Sequence, residues 1–489
     1  MQSSLIPLLL LGSLMLVGCD NNNNNSSAQA AASCSGTEVQ PVRLFLQQLG
    51  PDSVIIKWRG NLDGGAEANN VCFGTNMEAL LQDSLTQATV TATGHSEALL
   101  SGLTPDTTYY YSVGGAGVAN AAHSFRTAPE QGKLPGDGNT RIWIVGDSGT
   151  GGQGSLAPGE VRDGFETYVK NHGDEPADLF LMLGDNAYLQ GTDLEHQLAV
   201  FDVYTDLLAT TPIWPTIGNH EMGSFGISTT TSPNDYAILG DGASGGPDPA
   251  PDSPMPYLNI FTLPTNGEIG GLPTGTEQYY SFDYGNVHIV SLDTQLSIRD
   301  SDSRAGMLQW LKDDLMANSL DWTIVIFHHP PYTKGSHDSD NDAGGIDQPI
   351  FALREEFTPI FDQYGVDLAY SGHSHIYERS YYIKGHTGLS DTFDAATMAE
   401  LNDAGDPASG QGAETYSQIT RDGTDDKVVY TVAGNGGQVT VTSAGFPHPA
   451  NFFSELELGS VVIDVDADRL EASFVDVNGA VLDSFVMTR

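Results

Sequence analysis

Five apolar stretches of this 489-residue chain each run into a short turn whose side chains can hold a cation or move a proton. "RIWIVGDSG" stops at Gly146-Asp147, and "ADLFLMLGDNAY" at Gly184-Asp185 with Tyr188 three residues on. "TPIWPTIGNHE" stops at Gly218-Asn219-His220, "DWTIVIFHHPPY" at His328-His329, and "VDLAYSGHSH" at His373 and His375. Singly, each is an ordinary turn, because Asp, Asn and Gly favour turns, and a lone histidine at a strand end is usually packed or solvated. Five in succession are hard to explain that way. Carboxylate, phenolate, amide oxygen and imidazole are hard to borderline ligands that suit iron, zinc or manganese rather than copper(I).

Such groups need elements that bring them together. Beyond residue 140, apolar strands alternate with helical patterns, which argues an α/β domain. "VRDGFETYV" places Val161, Phe165 and Val169 on one helical face, and "GMLQWLKDDL" does the same with Leu308, Leu311 and Leu315. Ligands of α/β sheets bind beyond the carboxyl ends of the strands, so if the five strands share sheets, all five turns meet at one edge. "KVVYTVAG", "SVVIDV", "LEASFV" and "VLDSFVM" read as closing strands. Two Gly-, Pro- and Ser-rich inserts, 221–275 and 387–426, are expected to shape the pocket rim. Before residue 128 the pattern is different. "SVIIKWR", "VCFG", "TYYYSV" and "HSFRT" are β-branched and aromatic runs separated by turn formers. They predict an all-β sandwich over 39–128, a packing or spacer domain, joined through a Pro- and Gly-rich linker at 129–140 to a catalytic domain at 141–489.

Composition narrows the partners. With 19 Lys+Arg against 63 Asp+Glu the net charge is −44, a surface that repels nucleic acid and anionic membranes. An anionic substrate then needs a local reversal of the field, which a metal cluster supplies. Residues 5–17 form an apolar run of signal-peptide length, too short for a usual spanning helix. It ends in "LVGC", which resembles the bacterial lipobox, without the usual basic residues ahead of it. The expectation is a lipoprotein signal at 1–18, lipidation of Cys19, a flexible "DNNNNNSSAQAAAS" tether at 19–38, and a body outside the cytoplasm anchored to the membrane only through lipid. An ordinary cleaved signal is the alternative. Three cysteines are too few for a cysteine-rich metal protein. Cys34 and Cys72 either pair in an oxidising compartment or stay apart.

Asp147 in G-D-x-G, Asp185 and Tyr188 in G-D-x-x-Y, Asn219 in G-N-H-E, His328 in V-x-x-H, and His373 with His375 in G-H-x-H resemble the five signature blocks of purple acid phosphatases, which are calcineurin-like metallophosphoesterases. "YYSFDYGNVHIVSLDT", "QWLKDDL" and "VAGNGG" resemble their connecting segments, and "LTPDTTYYYSV" resembles the fibronectin type III signature of the plant-type N-terminal domain. The resemblance implies a four-layer α/β/β/α metallophosphoesterase sandwich preceded by an all-β fibronectin type III-like domain. It also implies a binuclear metal centre, Fe(III) with Fe(II), Zn(II) or Mn(II). Asp147, Tyr188 and His375 would hold the first ion, Asn219, His328 and His373 the second, and Asp185 would bridge them. Tyr188 marks the coloured ferric subgroup; otherwise it is a packed aromatic. His220 would face the substrate phosphate. His337, nine residues past His328, fits the leaving-group histidine, unless it is simply solvated. His329 is expected to cap or line the pocket. Of the few nearby cations, Lys334 and Arg379, Arg379 reads as a structural partner.

The function expected is an exported phosphatase in which a metal-bound hydroxide attacks small phosphate monoesters. A phosphodiesterase or nucleotide hydrolase with the same metals is the runner-up. An adhesion or carbohydrate-binding lipoprotein on a relict metal fold is the third reading, disfavoured because all seven ligand positions are filled.

Overall fold

The computed structural model describes residues 39–489 apart from 61–67, 69, 79, 81, 84–88, 91–93, 116–121, 223–254, 342–344 and 419–425. The leader, Cys19, the tether and Cys34 therefore lie outside the described residues. Cys72 is buried and disulfide-bonded.

The first eight strands are β1 (Arg43–Gln47), β2 (Ser53–Arg59), β3 (Val71–Gly74), β4 (Gln82–Asp83), β5 (Thr89–Val90), β6 (Ser96–Ser101), β7 (Thr108–Val113) and β8 (Ser124–Arg126). They make two four-stranded sheets, ordered β1-β2-β6-β5 and β4-β3-β7-β8, with antiparallel pairing throughout. Val54, Ile56, Trp58, Tyr111 and Phe125 fill the space between them. The Tyr109 hydroxyl accepts from the Thr104 backbone N–H at 3.0 Å, tying the Leu-x-Pro turn to its strand.

This sandwich is docked, not tethered. The Arg43 side chain is fully buried and reaches Asp193 at 3.1 Å and the Gln197 amide oxygen at 3.0 Å. Arg59 donates to both Asp193 oxygens at 2.9 and 2.8 Å. Lys57 donates to the Thr262 hydroxyl at 2.6 Å, and Phe45 packs against Phe201.

The following strands are β9 (Thr140–Val145), β10 (Leu179–Met182), β11 (Ile213–Pro215), β12 (Tyr280–Tyr284), β13 (Val287–Ser291), β14 (Trp322–Ile326) and β15 (Leu368–Ser371). Then come β16 (Tyr377–Ile383), β17 (Tyr416–Ser417), β18 (Val428–Ala433), β19 (Asn451–Glu455), β20 (Gly459–Val465), β21 (Arg469–Asp476) and β22 (Val481–Thr488). They form two mixed seven-stranded sheets, β11-β10-β9-β20-β21-β22-β17 and β12-β13-β14-β15-β18-β16-β19.

Alternation along the second sheet produces the layers. Ile289, Ile324, Ile326, Leu368, Tyr370 and Val429 point into the core shared with the first sheet. Their neighbours Val290, Val325, Ala369, Val428 and Tyr430 point the other way, onto the helices. Strands with two apolar faces are buried on both sides, hence helix, sheet, sheet, helix.

The helix Ala157–Asn171 buries Val161, Phe165 and Val169 as its spacing predicts, with Phe165 stacked on Trp143 at 4.4 Å. The helix Ser301–Ala317 differs from expectation. Leu311 and Leu315 are buried but Leu308 only partly, and Met307, Trp310 and Asp314 complete the inner face. Asp314 belongs there because its carboxylate accepts from Ser281 and the Leu272 N–H and meets His288 at 3.0 Å. A hydrophobicity pattern has no way to mark a buried carboxylate.

The described part of the insert 387–426 lies across β16 and carries edge strand β17, paired with β22. It touches the neighbourhood of the site where Ser390 donates its backbone N–H to Asp340 at 2.9 Å. Most of the insert 221–275 falls on residues 223–254, outside the described residues. Among the described residues no helix is long and apolar enough to cross a membrane.

Candidate metal centre

β9, β10 and β11 run parallel in one sheet, and β14 and β15 run parallel in the other. Their carboxyl ends face one region, so all five turns meet there. Asp147, Asp185 and His373 have φ of 55°, 52° and 65°. This left-handed conformation is uncommon for residues with a Cβ, and it turns each side chain back across its strand end. Gly218 has no substitute at its position, since a Cβ there would overlap the Asp185 nitrogen and carboxylate.

The donors gather in two groups. In the first, the Tyr188 hydroxyl lies 3.0 Å from Asp147 Oδ1 and 3.1 Å from His375 Nε2, and the last two are 3.5 Å apart. In the second, His328 Nε2 lies 3.0 Å from Asn219 Oδ1 and 3.3 Å from Asp185 Oδ1. Asp185, His328 and His373 offer ligand atoms within 4.8 Å of one another. His220 Nε2 is 3.8 Å from the other Asp185 oxygen, and its ring meets Tyr188 edge-on at 4.4 Å. The sequence-named residues thus form one cluster around Asp185.

Backbone contacts hold this arrangement. His220 N–H donates to Asp185 Oδ1 and His373 N–H to Asp147 Oδ2, each at 2.8 Å. The Leu183 carbonyl takes His328 Nδ1 at 2.8 Å, and the Leu189 carbonyl takes His220 Nδ1 at 2.9 Å. In both rings Nε2 is left to face the cluster. Glu221, quoted in "GNHE" but given no role from sequence, accepts from the backbone N–H groups of Asp185, Asn186 and Gly218 at 3.0, 2.7 and 2.6 Å. It ties the second turn to the third.

The donor set fits a metal. With its Nδ1–H given to a carbonyl, His328 aims Nε2 at two acceptor oxygens, and that gap takes a positive charge, a proton or a metal ion. The electrostatics agree. Burial pushes His328 down, yet Asp185 raises it to about 9. Burial pushes Asp185 up, yet His328 and His220 hold it far below the usual carboxylate range. Burial, with Asp147 and Asp185 beside it, raises the Tyr188 hydroxyl well above its ordinary value. A phenolate at that place needs a multivalent cation.

Other expectations change. His329 is wholly buried with Nδ1 3.0 Å from the Thr294 hydroxyl. It backs the ring of His373 at 4.5 Å and does not line the mouth. Lys334 is held by Asp338 and by Asp340 at 2.8 Å, which spends its charge within its own loop. Arg379 makes a fully buried two-point pair with Asp483, at 2.6 and 2.9 Å, the structural role its setting suggested. His337 does reach the site. Its ring stacks on His373 at 3.8 Å and its Nδ1 is 2.7 Å from Asp347, a residue in no motif. Side chains of His337, His220 and His375 keep 18, 11 and 15 % exposure, so these three imidazoles border the opening.

Two mixed sheets carry seven oxygen and nitrogen donors at their strand ends, a candidate metal centre. Comparison with known proteins agrees. Residues 140–377 match the calcineurin-like phosphoesterase family, and residues 39–127 match the N-terminal domain of purple acid phosphatases. The chain thus carries a calcineurin-like phosphoesterase domain behind a domain similar to the purple acid phosphatase N-terminal domain. An uncharacterized protein of Mycobacterium tuberculosis strain H37Rv is 28% identical over 379 residues, 72% of this chain and 60% of that protein. Purple acid phosphatase 22 of Arabidopsis thaliana is 28% identical over 285 residues, 57% of this chain and 51% of the relative. The matched region thus spans between half and two thirds of these relatives. In fold, the chain resembles purple acid phosphatase PPD1 from yellow lupin (Lupinus luteus) seeds, with TM-score 0.65, 18% identity, and 92% and 75% of the two chains covered. PhoD superposes with TM-score 0.57 at 14% identity over 93% of this chain and 91% of that one.

Proposed function

We propose that this protein is an exported phosphatase that hydrolyses small phosphate monoesters at a binuclear metal centre. The observation that carries the reading is the pair of donor groups on either side of Asp185. Asp147, Tyr188 and His375 would hold one ion, Asn219, His328 and His373 the other, and Asp185 both, with iron in the Tyr188 site as the phenolate favours. Metal ions there would supply Lewis-acid polarisation of the phosphoryl group and a water of lowered pKa. The chain supplies the rest. His220, its Nδ1 anchored on Leu189, presents Nε2 to a phosphate oxygen. His337 at the mouth is placed to give a proton to the departing oxygen. The net charge of −44 disfavours nucleic acid as a partner. Export and a lipid anchor rest on residues 1–38, by the leader's length and the "LVGC" sequence.

The test compares a chromogenic phosphate monoester with its bis-ester, using metal-loaded protein and Asp185→Asn as control. A monoester preference that drops at least about 100-fold in the variant supports the reading, a loss of the size seen when a group essential to transition-state stabilisation is removed. A bis-ester preference would make the protein a diesterase, and no turnover of either with metal bound would sink the phosphatase reading.

A further inference from the structure

Asp347 lies outside every sequence motif and outside the seven-donor set, yet it joins His373 of the cluster to His337 at the opening. It sits in a single turn, Gly345–Asp347, ahead of the helix Gln348–Ala352, with its side chain 12 % exposed. That turn is held from outside the cluster, since Arg299 donates to the Ile346 carbonyl at 2.9 Å and to the Gln295 carbonyl at 2.8 Å. One oxygen of the carboxylate, Oδ1, is 2.7 Å from His337 Nδ1 and 2.9 Å from His373 Nε2. The two imidazoles are stacked, with centroids 3.8 Å apart and planes inclined by 26°. That single oxygen is thus at hydrogen-bond distance from two ring nitrogens at once, the geometry of a carboxylate accepting from both. An ionised carboxylate only accepts, so both ring nitrogens facing it carry hydrogen.

We infer that Asp347 is a positioning residue that couples a metal-binding histidine to the histidine acting on the leaving group, an inference that rests on the phosphatase reading above. For His373, an Nε2–H committed to Asp347 leaves Nδ1 as the lone pair for the metal. A carboxylate behind a ligating histidine fixes its tautomer and raises its basicity. For His337, an Nδ1–H committed to the same oxygen orients the ring and leaves Nε2 toward the opening. In the reaction, water oxygen forms a new bond to phosphorus while the P–O bond to the ester oxygen breaks, its electron pair staying on that oxygen. A proton from His337 Nε2 goes to the ester oxygen, and the proton shed by the attacking water restores His337. The products are alcohol and inorganic phosphate. Asp347 holds both rings throughout and takes no proton.

Asp347→Asn and Asp347→Glu separate this role from loop packing. Retained metal is measured by elemental analysis after dialysis against graded chelator. Turnover is measured with p-nitrophenyl phosphate, a good leaving group, and with a simple alkyl phosphate, a poor one. Asp347→Asn is expected to weaken metal retention about 10- to 100-fold, as loss of such a partner does. It should also slow the alkyl ester at least about 10-fold more than the nitrophenyl ester, because only the poor leaving group depends on the proton. Asp347→Glu, which keeps the charge, should recover part of both. Unchanged retention with equal losses on the two esters would overturn the inference. So would a third metal equivalent in the wild type that Asp347→Asn loses, since Asp347 would then be a ligand itself. If the wild type hydrolyses neither ester, the phosphatase reading fails, and metal retention alone decides the positioning role.

Discussion

At the scale of single residues, the site depends on groups that never touch a substrate. Glu221 receives three backbone N–H groups from the turns that carry Asp185 and Asn219. Replacing it with alanine strands three buried donors at once, each costing on the order of 1–3 kcal/mol. Glu221→Ala is therefore expected to lose metal affinity or turnover by at least about 10-fold, and full activity in a folded variant would show that the turns hold themselves. Tyr188 offers a spectroscopic check. If its phenolate holds ferric iron, the protein is coloured, and Tyr188→Phe loses the visible band while keeping the imidazole and carboxylate donors. A colour that survives the substitution removes Tyr188 from the metal. The turn motifs made the seven candidate donors and His220 stand out in the sequence, because each motif is local, whereas His337 was singled out only through the family resemblance. Asp347 was not legible, since nothing near it in the chain marks it and only the fold brings it 2.9 Å from His373.

Between elements, two polar contacts carry more than their size suggests. Asp193 is the shared partner of Arg43 and Arg59, and Arg43 has no exposed side-chain surface. Asp193→Ala leaves a buried guanidinium without its charge partner, and the unfolding free energy should fall by about 3 kcal/mol or more. A variant as stable as the wild type in denaturant would show that water or Gln197 takes over. In the second sheet, His288 on β13 lies between Asp283 on β12, at 2.7 Å, and Asp314 on the neighbouring helix, at 3.0 Å. Burial lowers this imidazole, but the two carboxylates raise it from 6.5 to about 9. Its protonated form therefore favours the folded state fully below the unfolded value, and the contribution is lost as pH rises through about 9. The loss is on the order of 3 kcal/mol. Denaturant midpoints across that window should decline in the wild type, and the decline should shrink in His288→Gln. Parallel slopes would exclude His288 as the cause.

For the whole molecule, charge is the governing quantity. A net charge of −44 opposes the approach of a phosphate dianion to a site whose nearby lysine is already paired with two aspartates. Salt screens that repulsion within about 10 Å at 0.1 M. The specificity constant kcat/KM for a phosphate monoester is expected to rise with sodium chloride, by a few-fold between low and physiological ionic strength. A fall would mean that the metal ions already reverse the field at the entrance.

Composition and local pattern alone determined the all-β character before residue 128, the α/β alternation after it, and the five donor-bearing turns at the strand ends. These are readable because strand periodicity, turn chemistry and ligand type are properties of a few consecutive residues. Only the tertiary structure decided the strand order, with β20 from near the end of the chain inserted beside β9, because pairing between distant segments leaves no local trace. It also decided the buried polar partners. Asp314 under the helix, Asp193 between the domains and Asp347 beneath two histidines look in sequence like solvent-facing carboxylates. Each is drawn inward by a cation or imidazole that comes from elsewhere in the chain.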